Sequence, residues 1–215
     1  MQPTDTEVEF KLIPDVAHPD FERAIALYRD TFPPRERIPI PRVKSAVASG
    51  RTQLWAGYYQ GELALMSIVE PLPISGFLLL GYLATNPQFR NLKLGSRFLQ
   101  YIIDGAKRES KSLVLEVEHP DFGGDRELKE RRIGFYRRFG AKILGDIVYI
   151  LPPLDGGSQA TEMMLMVILW GDRNTLSKTT VQQLIRELYV EVYRRHPDEP
   201  IFNWIEDIPE EIDLV

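Results

Sequence analysis

Residues 76–85, GFLLLGYLAT, are apolar almost without a break and pass directly into NPQFRNLKLGSRFL. A strand with no polar alternation needs cover on both faces, so it belongs in the middle of a sheet with layers packed on either side. The segment that follows has a proline, several basic and polar residues and one glycine. It then becomes an amphipathic stripe of Leu94, Phe98, Leu99, Ile102, Ile103 and Ala106. That spacing predicts a helix whose N-terminus opens at the carboxyl end of the strand. A helix N-terminus leaves backbone N–H groups without acceptors and carries partial positive charge, so it favours an anion. Arg90 and Lys93 add charge there, and Gly95 lets a ligand approach the backbone. A plain surface loop with solvated bases has the same composition, and short glycine motifs discriminate weakly.

Hydrophobic periodicity orders the rest of the chain. VEFKLIP predicts a first strand, and DFERAIALYRDTF a helix that stops at Pro33 and Pro34, with a second short helix after Pro41. RTQLWAGYYQGELALMSIVEPL predicts two strands hinged at Gln60–Gly61. After the central strand and helix come the strand SLVLEVEH and the helix RELKERRIGFYRRFG. The inward face of that helix is expected at Leu128, the stem of Arg132, Phe135, Tyr136 and Phe139, with Gly140 as its C-terminal cap. Two strands, AKILGDIVYIL and EMMLMVIL, flank the turn-rich PPLDGGSQA, and TTVQQLIRELYVEVYRR makes a last helix with Val181, Leu184, Ile185, Leu188 and Val192 inward. Strands alternate with helices only in the middle, so the fold class is α+β, a mixed α/β sheet with flanking helices, and not a doubly wound dinucleotide fold. Residues 1–173 are expected to form one domain. Residues 174–215, a helix and an acidic tail, are expected to pack on that domain, cover a cleft or meet a partner such as a second copy of the chain.

Charge and residue usage narrow the function. Cysteine is absent, which removes disulfides, thiolate metal sites and a cysteine acyl-enzyme. His18, His119 and His196 have no ligand spacing, so no metal site is expected. From Asp198 onward there are seven acids and no Lys or Arg, whereas residues 86–142 hold 13 bases against 8 acids. This mildly basic centre is too mixed for a nucleic-acid footprint but suits a small polyanion. No apolar run is long enough to span a bilayer, and the N-terminus MQPTDTEVEF lacks the basic-then-apolar pattern of a secretion signal. The expectation is a cytoplasmic protein with neither a membrane nor a nucleic-acid partner.

YLATNPQFRNLKLGSRFL resembles the acyl-CoA-binding motif of the GNAT superfamily of N-acetyltransferases, in which a central strand leads into Gln/Arg-x-x-Gly-x-Gly/Ala at the mouth of a helix. The slots fall on Arg90, Asn91, Leu92, Lys93, Leu94 and Gly95, with Ser96 after them, and Lys93 occupies the first glycine slot. RRIGFYRRFGAKIL is similar to the family's later aromatic-Tyr motif, with Tyr136 at the position where many members keep a tyrosine near the coenzyme A sulfur. LYRDTFPPRERIPI is similar to the acceptor-side helices of some bacterial members. The resemblance covers residues 8 to about 170. It implies a GNAT-like central twisted mixed sheet of about six to seven strands, acetyl-CoA as cosubstrate, and a thioester held by the backbone of Leu83, Ala84 and Thr85.

Acetyl transfer from a thioester to an amine gives these residues chemical tasks. An alkylammonium with a pKa of about 10.4 leaves on the order of one molecule in a thousand neutral at pH 7, so a carboxylate or a water chain must take a proton. Glu116 and Glu118, two apart on a strand and so on one sheet face, are the candidate bases. They are also compatible with strand-end acids that face water or pair with Arg131 or Arg132, and Glu116, the deeper of the two, is slightly ahead as base. Tyr136 is the candidate acid for the departing thiolate; it is also compatible with simple core packing like Phe135 beside it. Tyr82 and Glu70 are weaker candidates for lining the acceptor side. Without cysteine, direct attack in a ternary complex is expected, on an acceptor that the acidic tail would favour if cationic. Two other classes stay open: a non-catalytic acyl-CoA-binding module, and an interaction domain in which Lys93 has abolished the pyrophosphate site.

Overall fold

The computed structural model describes residues 7–154 and 161–215, so most of the expected turn-rich connection at 152–160, and the N-terminal residues 1–6, lie outside the described residues. The chain divides into two compact units: the residues up to Pro71 with Leu80–Gly105, and Leu72–Leu79 with Ala106–Val215.

In the first unit, β1 (Val8–Ile13) pairs antiparallel with β2 (Gln53–Tyr59), and β2 pairs with β3 (Glu62–Leu72). The β2–β3 hinge is Gln60–Gly61, as the sequence predicts. Both residues are left-handed, φ 49° and 83°, which is the backbone of a two-residue turn matched to strand twist. Next to β3 lies β4 (Phe77–Thr85), the apolar run, which contributes Leu80–Thr85 here. Helix α3 (Leu94–Arg108) buries its predicted stripe, including Leu94, Phe98, Leu99, Ile102 and Ile103. Helices α1 (Phe21–Thr31) and α2 (Ile40–Ala48) stand where expected, α1 burying Phe21, Ala24, Ile25 and Tyr28. At the start of α1, Asp20 makes no side-chain cap. Its carboxylate instead accepts from the Tyr58 hydroxyl at 2.6 Å and from Arg23 at 2.7 Å.

In the second unit the first three residues of β4 pair parallel with β5 (Ser112–Glu118). On its other side β5 pairs antiparallel with β8 (Thr161–Ile168), and β8 also takes β6 (Lys142–Ile143) and β7 (Tyr149–Leu151). Parallel and antiparallel ladders coexist, so the class is the expected mixed α+β, with eight strands among the described residues where about six to seven were expected. The eighth arises because the strand expected over residues 141–151 is two. It breaks at Gly145–Asp146, where Asp146 has φ 55°. Gly145 N–H donates to Asp213 O at 2.8 Å, and a Cβ on Gly145 would sit 3.1 Å from that oxygen, so the chain turns where another strand arrives.

That arriving strand is the acidic tail. Beyond β9 (Thr175–Ser177), α5 (Lys178–Glu187) and a 3-10 segment (Pro200–Asp207), β10 (Glu211–Asp213) pairs antiparallel with β9. Val215 exchanges two backbone hydrogen bonds with Ile143 at 2.7 and 3.0 Å. Ile212 and Leu214 are buried while Glu211 and Asp213 face water, a half-buried strand alternation. Glu187, at the end of α5, is buried and accepts from Ile74 N, Ser75 N and Ser75 Oγ at 2.7–3.0 Å, fastening the helix to the turn before β4.

Helix α4 (Arg126–Arg137) corrects one expectation. Leu128 is 54% exposed, whereas Lys129 and Ile133 are buried, so the inward stripe is shifted by one residue. Lys129 packs its methylene stem and donates its ammonium to Phe122 O, which lets a charged residue hold an inward position. The helix ends as predicted: Gly140 is at φ 83°, its N–H bonds Arg137 O, and Ala141 N–H bonds Tyr136 O, the paired closure of a glycine cap.

The Asp20–Tyr58 bond gives a pH-dependent test. The Tyr58 hydroxyl holds the Asp20 carboxyl below its ordinary 3.8, and burial with Asp20 pushes Tyr58 up to about 12. A carboxyl lowered on folding contributes stability that is present above its unfolded pKa and is lost as pH falls through the folded one. Tyr58→Phe should therefore cost about 1.5 kcal/mol at pH 7, with the gap closing as urea unfolding is repeated below pH 4. An equal gap at pH 7 and pH 3 would show that the carboxylate charge plays no part.

Candidate functional site

The β4–loop–α3 segment lies within the first unit. The β4–β5 ladder covers Phe77–Leu79 and ends there, so among the described residues Leu83, Ala84 and Thr85 have a strand neighbour only on the β3 side. Ala84 is buried, and Leu83 and Thr85 are half-buried. A 3-10 turn at Pro87–Phe89 follows, capped by Asn86, whose side chain accepts from Gln88 N at 3.1 Å and whose N–H bonds Ala64 O at 2.8 Å. The chain then takes two left-handed residues, Asn91 at φ 72° and Lys93 at φ 56°. Helical bonding begins with Arg97 N to Lys93 O at 3.0 Å. The N–H groups of Leu94, Gly95 and Ser96 therefore have no acceptor within the helix, and no acid stands in that first turn.

Lys93 thus holds a left-handed backbone of the kind glycine adopts without strain, at a cost of about 1–2 kcal/mol for a residue with a Cβ. Gly95 lies in ordinary helical backbone, and a Cβ there would come no closer than 3.8 Å to Thr85 Oγ1 and 3.9 Å to Leu83 Cδ2. Neither dihedral strain nor protein packing asks for glycine at 95, whereas a ligand lying over the first turn would. Arg90, Asn91 and Lys93 are exposed, Leu92 and Ser96 half-buried, and Leu94 is the buried anchor of the turn. All ten sequence-predicted binding residues fall on this one continuous segment.

Tyr82, one residue before Leu83, is engaged by its own unit. Its hydroxyl accepts from Ile38 N at 3.0 Å and donates to Glu36 O at 3.3 Å, while Tyr28 Oη donates to Ile38 O at 3.0 Å. The Tyr28, Phe32 and Tyr82 rings meet in tilted or edge contacts at 4.8–5.6 Å. Tyr82 therefore holds residues 36–38 beside the end of β4. Glu70 accepts from Thr52 Oγ1 at 2.8 Å.

The second unit carries the other candidates. Glu116 and Glu118 project from one face of β5, as their spacing requires, but into different surroundings. Glu118 meets Arg132 at 3.2 Å and the Lys129 ammonium at 3.9 Å, and its side chain is 38% exposed. Glu116 is half-buried and accepts from the Tyr149 hydroxyl at 2.6 Å on one oxygen and from Tyr193 on the other. Neither tyrosine was singled out by the sequence. Tyr149 follows a strand break that periodicity does not reveal, and Tyr193 lies past a helix irregularity that apolar spacing does not encode. Burial raises the Tyr149 phenol well above its usual value, with the Glu116 charge adding to this, so it stays a donor. Tyr136 on α4 is half-buried with its ring 5.2 Å from Phe135; burial raises its phenol, opposed by the charge of Arg132. Among the described residues no cluster of three His, Cys, Asp or Glu suits a metal ion, and no helix is long and apolar enough to cross a membrane.

No family model and no curated protein matches this sequence. Solved structures do resemble it. A GNAT-family protein from Bacteroides thetaiotaomicron superposes with a TM-score of 0.74 at 24% identity, over 87% of this chain and 99% of that one. The ribosomal-protein-S18-alanine N-acetyltransferase of Escherichia coli gives a TM-score of 0.53 at 16% identity, over 77% of this chain and 96% of its own. A GNAT acetyltransferase from Elizabethkingia anophelis with acetyl-CoA bound gives 0.53 at 15%, over 77% and 99%. The chain has the GNAT fold, the architecture that its two motifs implied.

The Lys93 backbone sets a direct test. Lys93→Gly should raise stability by about 1 kcal/mol by relieving the left-handed strain, read as an upward shift of the urea midpoint with unchanged slope. A lower midpoint would show that the lysine side chain stabilises the turn by more than its backbone costs.

Proposed function

We propose that the protein is an acetyl-CoA-dependent N-acetyltransferase that passes an acetyl group to a primary amine by direct attack in a ternary complex. The observation that carries this reading is the cradle at the mouth of α3. There Lys93 adopts a left-handed backbone, three N–H groups open without helical acceptors, and no acidic residue stands in the helix's first turn. The fold supports it, since the Elizabethkingia anophelis relative of the same fold holds acetyl-CoA and the Escherichia coli relative acetylates a protein alanine.

The residues present fit such a cosubstrate. The backbone of Leu94–Ser96 would face its pyrophosphate, Arg90 and Lys93 would add charge, and the Leu83–Thr85 backbone would hold its extended arm. Acetyl-CoA would supply the thioester carbonyl that the amine attacks. Glu116 is the stronger choice for the carboxylate that takes the ammonium proton, because Glu118 is already committed to two cations at the exposed strand end. As the C–N bond forms and the C–S bond breaks, Tyr136 would give its phenolic proton to sulfur, and the second amine proton would restore the phenol. A phenol raised by burial is still protonated when that step requires it. A cytoplasmic site and a cationic amine acceptor go with this reading.

One observation favours the alternative, a non-catalytic acyl-CoA-binding module: both candidate carboxylates already have protein partners. Calorimetric titration with acetyl-CoA and with CoA, alongside thiol release in an amine panel, separates the two. Binding should weaken by roughly two orders of magnitude, about 2.7 kcal/mol, in an Arg90→Ala, Gly95→Glu variant. Tyr136→Phe should lower kcat about a hundredfold with acetyl-CoA affinity unchanged. Binding without thiol release from any amine would establish the module, and no binding at all would leave only the fold.

A further inference from the structure

The C-terminal extension contains a helix irregularity with a chemical consequence. Helix α5 buries Val181, Leu184 and Ile185, and a continued 3.6-residue period would keep Leu188 and Val192 inward and turn residues 189 and 193 about 100° aside. Instead Leu188–Val192 forms one π turn, closed by Tyr193 N–H to Leu188 O at 3.0 Å, five residues back. The extra residue in the turn widens the inward arc, so Leu188, Tyr189, Val192 and Tyr193 are all buried. Single π turns are uncommon and concentrate where a side chain must be aimed. Here the aim is specific. Tyr189 stacks on Tyr149 at 5.7 Å and donates to Ile150 O at 2.6 Å, and Tyr193 donates to Glu116.

Resting on the acetyltransferase reading above, we propose that Tyr193 is a positioning residue for Glu116, so that the extension holds the proposed base in place. Each carboxylate oxygen accepts one phenolic O–H, Tyr149 on Oε1 and Tyr193 on Oε2. Two donors from two elements fix the carboxylate plane, where a single donor would leave it free to rotate about its terminal bond. Glu118, two residues on, is treated differently: it is gripped by cations at the exposed strand end. Packing does not account for the hydroxyl, since a phenyl ring at 193 would fill the same volume. The hydroxyl and the π turn that delivers it are the parts of the extension with a purpose beyond the core.

The test is a kinetic double-variant cycle on the full chain, using acetyl-CoA with the amine that gives the fastest thiol release in the panel. Tyr193→Phe should lower kcat about tenfold, with unchanged acetyl-CoA affinity by calorimetry. Glu116→Gln should lower it about a hundredfold or more. Because Tyr193 acts through Glu116, adding Tyr193→Phe to Glu116→Gln should cost nothing further. Should Tyr193→Phe fail to fold, Tyr149→Phe enters the same cycle through the other oxygen. An unchanged kcat in Tyr193→Phe, or full additivity in the double variant, overturns this inference while leaving the acetyltransferase reading intact. Wild-type protein that binds no acetyl-CoA, or releases no thiol with any amine, overturns that reading and this inference with it.

Discussion

The constraint on which the candidate site depends is where β4 stops pairing with β5. An all-apolar strand earns its central place by burial, yet a fully paired central strand has no backbone groups to offer a ligand. Pairing over Phe77–Leu79 keeps the strand anchored and, among the described residues, leaves Leu83–Thr85 with a strand neighbour on the β3 side only. The loop after it then has to turn sharply enough for α3 to start beside that strand end. Asn91 and Lys93 supply the two left-handed residues, and Leu94 plugs the first turn into the core. Dihedral strain at the loop is held in place by the buried stripe of α3, which is far more favourable than the strain is costly.

The C-terminal extension is bound into the second unit by three unrelated devices. Val215 and Ile143 exchange backbone bonds, so the chain end completes a sheet edge that β6 would otherwise present. Glu187 satisfies the turn before β4 with a buried carboxylate that accepts three hydrogen bonds, a placement tolerable only because its lone pairs are used. Arg195 donates to Pro153 O at 2.7 Å beyond the π turn. Each tie uses polar groups whose partners lie far away in sequence. Residues 174–215 therefore carry ordered, specific structure of their own unit.

What the sequence disclosed and what it hid follow from the range of the forces involved. The Gln60–Gly61 hinge, the Gly140 cap and the α3 stripe are local, set by dihedral preference and a 3.6-residue period, and they were legible. The α4 face differs by one residue from its apolar spacing because Lys129 buries its stem and finds a carbonyl, a placement that a charged residue does not announce. The tail was read as an acidic run, yet Glu211-Ile212-Asp213-Leu214 alternates as a strand does; net charge masked the period. For the site, the binding segment was readable because it is contiguous. The phenols on Glu116 come from 33 and 77 residues away, and no local pattern announces such a meeting.

A cradle built from backbone N–H groups asks for dihedral angles, and the residue that supplies them is secondary. Lys93 takes a left-handed φ without being glycine, at a cost a core of this size absorbs. A site whose chemistry resides in side chains has no such latitude, because replacing a carboxylate or a phenol removes the function along with the identity. Under the proposed roles, variation should therefore be tolerated along 90–96 wherever φ is kept, and far less at Glu116, Tyr136, Tyr149 and Tyr193.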